Sequence, residues 1–176
     1  MSAVLFLSAC AAGSGRVETS SRAPSFRART LAIAAARDGR GKSVDLAREL
    51  TRRLEAGGFR AAALEDSDSV LAGSALGLDM ASDPRVLAEV RRATGADAIV
   101  FLTLDPGWRS LDVAVLDLAT GEPVLRAAAR PRGESFASPD EAAEAAAEAL
   151  ASLSPDRARA SAAARAGDGA DEIPVP

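Results

Sequence analysis

The sequence predicts an α/β (α+β) fold built on one mixed sheet, parallel in its first part and antiparallel in its last, in the order β-α-β-α-α-β-β-β-α. Three observations carry this expectation. Asp97 to Leu104 (DAIVFLTL) is a nearly unbroken apolar run, the pattern of a central strand covered on both faces. Trp108 to Leu118 then alternates, with Leu111, Val113 and Val115 on one face and Ala114, Leu116 and Leu118 on the other. Ala119-Thr120-Gly121-Glu122 supplies a hairpin turn in which Gly121 can take a positive φ, so Val124 to Ala129 returns antiparallel. A three-strand meander cannot hide its own apolar faces, and three or four helices must cover it.

Taken in order, the chain opens with MSAVLFLSAC, an apolar run from Ala3 to Leu7 that leads into Leu7-Ser8-Ala9-Cys10. A branched apolar residue, two small ones and a cysteine resemble a bacterial lipobox, in which Cys10 would become the lipidated amino terminus. A signal peptide carries a basic flank and an apolar stretch of ~7–15 residues. Here no Lys or Arg precedes the run and the run is short, so either the natural start lies farther upstream or the likeness is accidental. The one cysteine of the chain stands where the lipobox needs it, which favours the lipoprotein. Residues 1–10 are thus a signal remnant, and 11–27, small and polar, read as a flexible tether.

The domain proper is expected over 28–153. Arg29 to Ala36 is its first strand, RDGRGK its loop, and Ser43 a cap for a helix to about Ala56 with Leu46, Leu50 and Leu54 at helical spacing. Gly57-Gly58 ends that helix and Phe59 to Leu64 is the second strand, so a parallel crossover joins the two. A short helix from Ser67 to Ala75 follows, then a cleaner one opened by Asp83-Pro84 with Val86, Leu87 and Val90 on one face. Thr94-Gly95 closes it ahead of the central strand. Ser138-Pro139-Asp140-Glu141 is a capping box for a last helix, mostly Ala and Glu, whose alanine face permits close approach to the sheet. Glu141, Glu144 and Glu148 read as its solvated side. Residues 154–176 look like a disordered tail.

Composition narrows the chemistry. Aromatics are only 3%, so the core is built from Ala, Val and Leu, and a net charge of -4 gives no basic face for nucleic acid. Histidine is absent and Cys10 is alone, which removes Cys/His zinc sites, histidine base chemistry and an internal disulfide. No cofactor, metal or catalytic set is expected. One motif competes: Ala36 to Ser43 (ARDGRGKS) matches a relaxed phosphate-binding loop between a strand and a helix. In that reading Arg37, Arg40, Gly41, Lys42 and Ser43 bind a nucleotide or another anion at a helix amino terminus. Against it, Ala36 replaces the glycine of the tight turn and the meander is antiparallel. A solvated basic turn is the plainer alternative. Trp108, the only tryptophan, reads as an indole covering the sheet edge.

The lipobox, the strand-helix-strand unit, Thr94-Gly95-Ala96-Asp97 before an apolar strand, and the hairpin Val115 to Val124 (VLDLATGEPV) together resemble one periplasmic domain family. It is the α/β domain shared by the curli-secretion-channel lipoprotein and the lipoprotein activators of penicillin-binding proteins, and it is similar to the amino-terminal domain of TolB. The likeness spans about Arg29 to Leu153. It implies a non-catalytic envelope lipoprotein at the periplasmic face of the outer membrane, anchored through its lipid and acting as an adaptor or assembly factor on an envelope protein partner. No long amphipathic hairpin of a secretion channel is present, and the alanine-rich last helix and basic first loop depart from the family.

Overall fold

The computed structural model describes residues 17–19, 26–34, 36–38, 43–64 and 83–153. Its elements are β1 (Val17–Thr19), β2 (Thr30–Ile33), β3 (Ala36–Asp38), β4 (Ser43–Val44), α1 (Leu46–Ala56), β5 (Arg60–Ala63), α2 (Pro84–Thr94), β6 (Ala98–Leu104), β7 (Leu111–Asp117), β8 (Pro123–Ala129) and α3 (Pro139–Leu150), followed by a 3-10 turn at Ala151–Leu153. The strands form one sheet in the order β1-β8-β7-β6-β2-β5, with β3 beside β6 and β4 folded back on β3. β2 runs parallel to both β5 and β6, while β6, β7 and β8 are antiparallel neighbours. The expected mixed α/β sheet is therefore the fold of this chain.

Alternation decides which helix covers which face. Val100, Leu102, Leu104, Leu111, Val113 and Val115 point into a core closed by α1 and α3, together with Leu31, Ile33, Leu46, Leu50 and Leu54. Ile99, Phe101, Ala114, Leu116 and Leu118 point the other way, onto Leu87 and Val90 of α2. Complete burial of a Leu or Ile is worth ~1.5–3 kcal/mol. No polar or charged residue among those described is buried. Apolar burial and the backbone ladder therefore hold the domain together.

The helix ends follow local chemistry. Asp83 accepts from the Arg85 N–H at 2.8 Å to start α2, with Pro84 at its first position. Gly95, at φ 66, ends it in the left-handed region. Ser138 accepts from the Glu141 N–H at 3.3 Å, and the Glu141 carboxylate accepts from the Ala137 N–H at 2.8 Å. Gly121 takes φ 73 in the β7–β8 hairpin, and a Cβ there would stand 3.0 Å from Cδ1 of Leu87.

One carboxylate ties the two halves of the sheet together. Asp97 Oδ2 accepts from the backbone N–H groups of Arg29 (2.8 Å) and Thr30 (3.0 Å) at the start of β2. Its own N–H donates to Thr30 O, and its carbonyl accepts from Leu118 N–H at the end of β7. The aspartate of the Gly-Ala-Asp motif is thus a clamp at the foot of β6.

Three expectations need correction. The first strand does not run unbroken to Ala36. Between the pairs Ile33↔Val100 and Arg37↔Thr103 one chain advances four residues and the other three, so a one-residue bulge separates β2 from β3. Ser43 does not cap α1: it lies in β4 opposite Arg37, and Asp45 precedes the helix with no side-chain capping bond. β3 and β4 pair with each other before the chain turns into α1. Third, within the supposed tether, Val17–Thr19 pairs antiparallel with β8 as an edge strand. The short helix expected at Ser67 to Ala75 and the tail at 154–176 lie outside the described residues.

α3 lies close to the sheet because Ala142, Ala143 and Ala146 are fully buried and have no side chain beyond Cβ. Ala146→Leu forces extra methylenes into this contact and is expected to destabilise the domain by ~1–3 kcal/mol. A urea melt should show a lower midpoint with an unchanged slope, whereas Glu148→Ala, on the exposed side of α3, should leave the midpoint in place.

Candidate functional site

Two places carry concentrated polar chemistry. The first is the end of the sheet where β6 stops. The turn from Asp105 to Ser110 is organised by one carboxylate: Asp105 accepts from the backbone N–H groups of Ser110 at 2.7 Å, Gly107 at 3.2 Å and Arg109. Asp105 also donates its N–H to Ser110 O and accepts from Trp108 N–H at its carbonyl, both at 3.0 Å. Partial burial by itself would raise the Asp105 pKa. The N–H donors of Ser110, Gly107 and Arg109, followed by the Arg109 guanidinium, outweigh that and hold it below the usual carboxylate range.

This bonding holds Trp108 at φ 58, a left-handed conformation that costs a non-glycine residue roughly 1–2 kcal/mol. The indole is half-buried against the α1/α3 core, and the Trp108 carbonyl accepts from Phe136 N–H at 2.7 Å. The turn is thereby fastened to the connection between β8 and α3. Pro106, Gly107, Arg109 and Arg130 are exposed around it. Asp105-Pro106-Gly107 is legible as a turn sequence; that the aspartate would be its hub was missed.

The β3–β4 hairpin rises at the same end, with Asp38 opposite Leu104. Of the residues expected to bind an anion, Arg37 and Ser43 face each other in its ladder. Arg40, Gly41 and Lys42 lie outside the described residues, as does Cys10. A phosphate loop passes directly into a helix whose free N–H groups meet the anion. Here a strand intervenes, and the residue before α1 is the carboxylate Asp45.

The second place is the seam between α1 and α3. Arg53 donates to Asp140 Oδ1 at 2.7 Å, and its Nε, buried without a hydrogen-bond partner, stands 3.7 Å from Glu49 Oε1. Arg52 pairs with Glu49 and lies 3.6 Å from Asp140. The Arg53 hydrogen bond, followed by the one shared with Glu49, lowers the Asp140 pKa. These charges border an open groove of about 490 Å³, lined by Arg52, Arg53 and Ala56 of α1 and by Glu144, Ala147 and Glu148 of α3. Glu144 also pairs with Arg132 at 3.0 Å, and Glu141 caps α3, so the glutamate row is more than a solvated face. Among the described residues no group of three or more His, Cys, Asp or Glu is placed to hold a metal.

No protein-family model matches this chain, and no curated protein does. Solved structures with a similar fold include the PelC dodecamer of Paraburkholderia phytofirmans. It is 16% identical, with a TM-score of 0.51, over 78% of this chain and 96% of that one. A variant of it gives 0.52 over 80% and 97%, also at 16% identity. Lipoprotein GNA1162 of Neisseria meningitidis is 11% identical (TM-score 0.42, 83% of this chain and 99% of that one). E. coli LpoB is 17% identical (TM-score 0.39, 60% and 58%). At these values only the PelC likeness bears on the fold, and it agrees with the mixed sheet.

The depressed pKa of Asp105 sets a sign for pH. A carboxylate whose folded pKa lies below its unfolded value stabilises the fold above the unfolded pKa, and that contribution is lost as pH falls through the folded one. Thermal melts from neutral pH downward should therefore show stability falling below the ordinary carboxylate range, and Asp105→Asn should flatten part of that fall. An unchanged acid slope in the variant would remove Asp105 from this role.

Proposed function

We propose that this chain is a lipid-anchored protein of the bacterial cell envelope that works without catalysis of its own, as an adaptor or assembly/activator factor binding an envelope protein partner. The observation that carries the reading is Leu7-Ser8-Ala9-Cys10, a lipobox holding the one cysteine of the chain. Ala11 and Ala12, in place of Asp, follow that cysteine, which by resemblance to enterobacterial sorting signals favours the outer over the inner membrane. The fold supports a role played through surfaces, since PelC, which shares it, is a dodecamer. The Trp108 turn and the α1/α3 seam offer two such surfaces, one rigid and part-apolar, the other charged. No cofactor enters this function.

A second reading rests on the three basic residues Arg37, Arg40 and Lys42 within RDGRGKS: a loop that, with Gly41 and Ser43, binds a nucleotide or another anion. The hairpin and Asp45 weaken it, because they displace the helix amino terminus such a ligand would use.

Two measurements separate the readings. Radiolabelled palmitate should enter the protein in cells and be lost in Cys10→Ser, with the label in the envelope fraction; soluble cytosolic protein with its first ten residues intact would sink the first reading. Titration of the purified domain with Mg-ATP should show no saturable binding. Saturation abolished by Lys42→Ala would establish the second.

A further inference from the structure

The register of β1 fixes where the membrane-proximal chain enters the domain. β1 pairs antiparallel with β8 through Val17↔Ala127, Glu18↔Arg126 and Thr19↔Leu125. β8 ends at Ala129, which pairs with Leu111, the first residue after the Trp108 turn. Being antiparallel to β8, β1 begins at its Trp108-proximal end and runs away from it, so the chain enters β1 from that side. Cys10 precedes Val17 by seven residues, a span of at most ~25 Å at about 3.5 Å per residue. From Val17 to the level of Ala129 is two strand residues, or ~7 Å.

The opposite end, with the Gly121 hairpin and the foot of β6, is harder to reach. To bring it to the bilayer the seven residues would have to turn back past the level of Pro123, four strand residues or ~13 Å beyond Ala127, which is more than half their reach.

The side chains at the near end suit a bilayer surface. Trp108 is half-exposed, Arg109 is 73% exposed and pairs only loosely with Asp105 at 3.7 Å, and Arg130 is exposed with no side-chain partner among the described residues. Pro106 and Gly107 add no charge to this tip, and the exposed acids bordering it are Asp112, opposite Ala128 at the start of β7, and Glu134 on the β8–α3 connection. An indole beside guanidinium groups is the combination favoured at the headgroup level of an anionic leaflet. Asp105 holds the turn rigid, so little order is lost on contact.

We infer that the domain stands on the membrane with its Trp108–Arg109–Arg130 end against the leaflet that holds the Cys10 lipid, leaving the α2-capped hairpin end facing outward. This orientation rests on the lipid anchor proposed above. Trp108 is the only tryptophan and tyrosine is absent, so its fluorescence reports this end alone.

The experiment uses the full lipidated chain in vesicles of phosphatidylethanolamine and phosphatidylglycerol, with and without lipids carrying a doxyl quencher near the headgroup. Trp108 emission should shift to the blue and be quenched several-fold more than a tryptophan moved to the far hairpin (Trp108→Phe with Thr120→Trp). Arg109→Glu with Arg130→Glu should reduce the quenching while the protein stays on the vesicles. Vesicle-bound, lipidated protein whose Trp108 is unquenched, or in which the two tryptophan positions are quenched equally, overturns the orientation and leaves the anchor standing. Protein that carries no lipid on Cys10 overturns both. Trp108 protected only when a partner protein is added assigns this end to that partner and also overturns the inference.

Discussion

Everything in this domain is arranged around a strand that has no solvent face for most of its length. Ala98, Ile99, Val100, Phe101, Leu102 and Leu104 of β6 are all buried, and successive residues point into two different cores. A strand of that kind needs a neighbour on each edge and a helix layer on each side, since every exposed methylene would forfeit its transfer energy. The fold meets this with β2 in parallel on one edge, β7 antiparallel on the other, α1 and α3 on one face and α2 on the other. The mixed sheet follows from this: β6 is the seam at which a crossover unit joins a meander.

The two ends of β6 are finished in different ways, each around an aspartate. At its foot Asp97 bonds across to β2 while Gly95 turns the chain out of α2, and Gly121 brings the β7–β8 hairpin down onto Leu87. Those contacts are between elements, and they set how the parallel and antiparallel halves meet. At its head Asp105 bonds only within its own turn, fixing a backbone that would not otherwise hold a tryptophan at positive φ. One end is therefore tied together by bonds between elements, and the other presents a stiff, partly apolar tip. That asymmetry leaves the Trp108 end as a preformed turn with Pro106, Gly107 and Arg109 exposed.

α3 shows how a sequence poor in aromatics builds a dense layer. Its buried residues are alanines, with Leu150 at the end, so the helix backbone can lie close to the sheet and to α1. The closeness has an electrostatic consequence, because it places Asp140 within 2.7 Å of the Arg53 guanidinium on the neighbouring helix. Exposed pairs of this kind add little to stability individually. Together they line the helix seam with charges of both signs.

Periodicity and turn chemistry were enough to read the strands β5 to β8, the helices α1 to α3, Gly95 as the end of α2, the positive φ of Gly121, and which residues of β7 share a face. These are local properties: alternation, capping and glycine placement act within a few residues. The lipobox-like pattern Leu7 to Cys10 is likewise a property of the linear chain. What the linear chain could not reveal was the pairing of its weakly apolar segments. That Val17–Thr19 joins β8, that a bulge parts β2 from β3, and that Asp97 reaches Thr30 all depend on registers between residues far apart in sequence, while Ser43 joins a hairpin with Arg37 that lies beside β6. The polar stretch around Arg16 and the basic loop carry too little apolar signal to declare a partner of their own. Only the assembled sheet, with edges of a given length and direction, decides where such segments attach, because strand pairing is specified by the neighbour as much as by the strand.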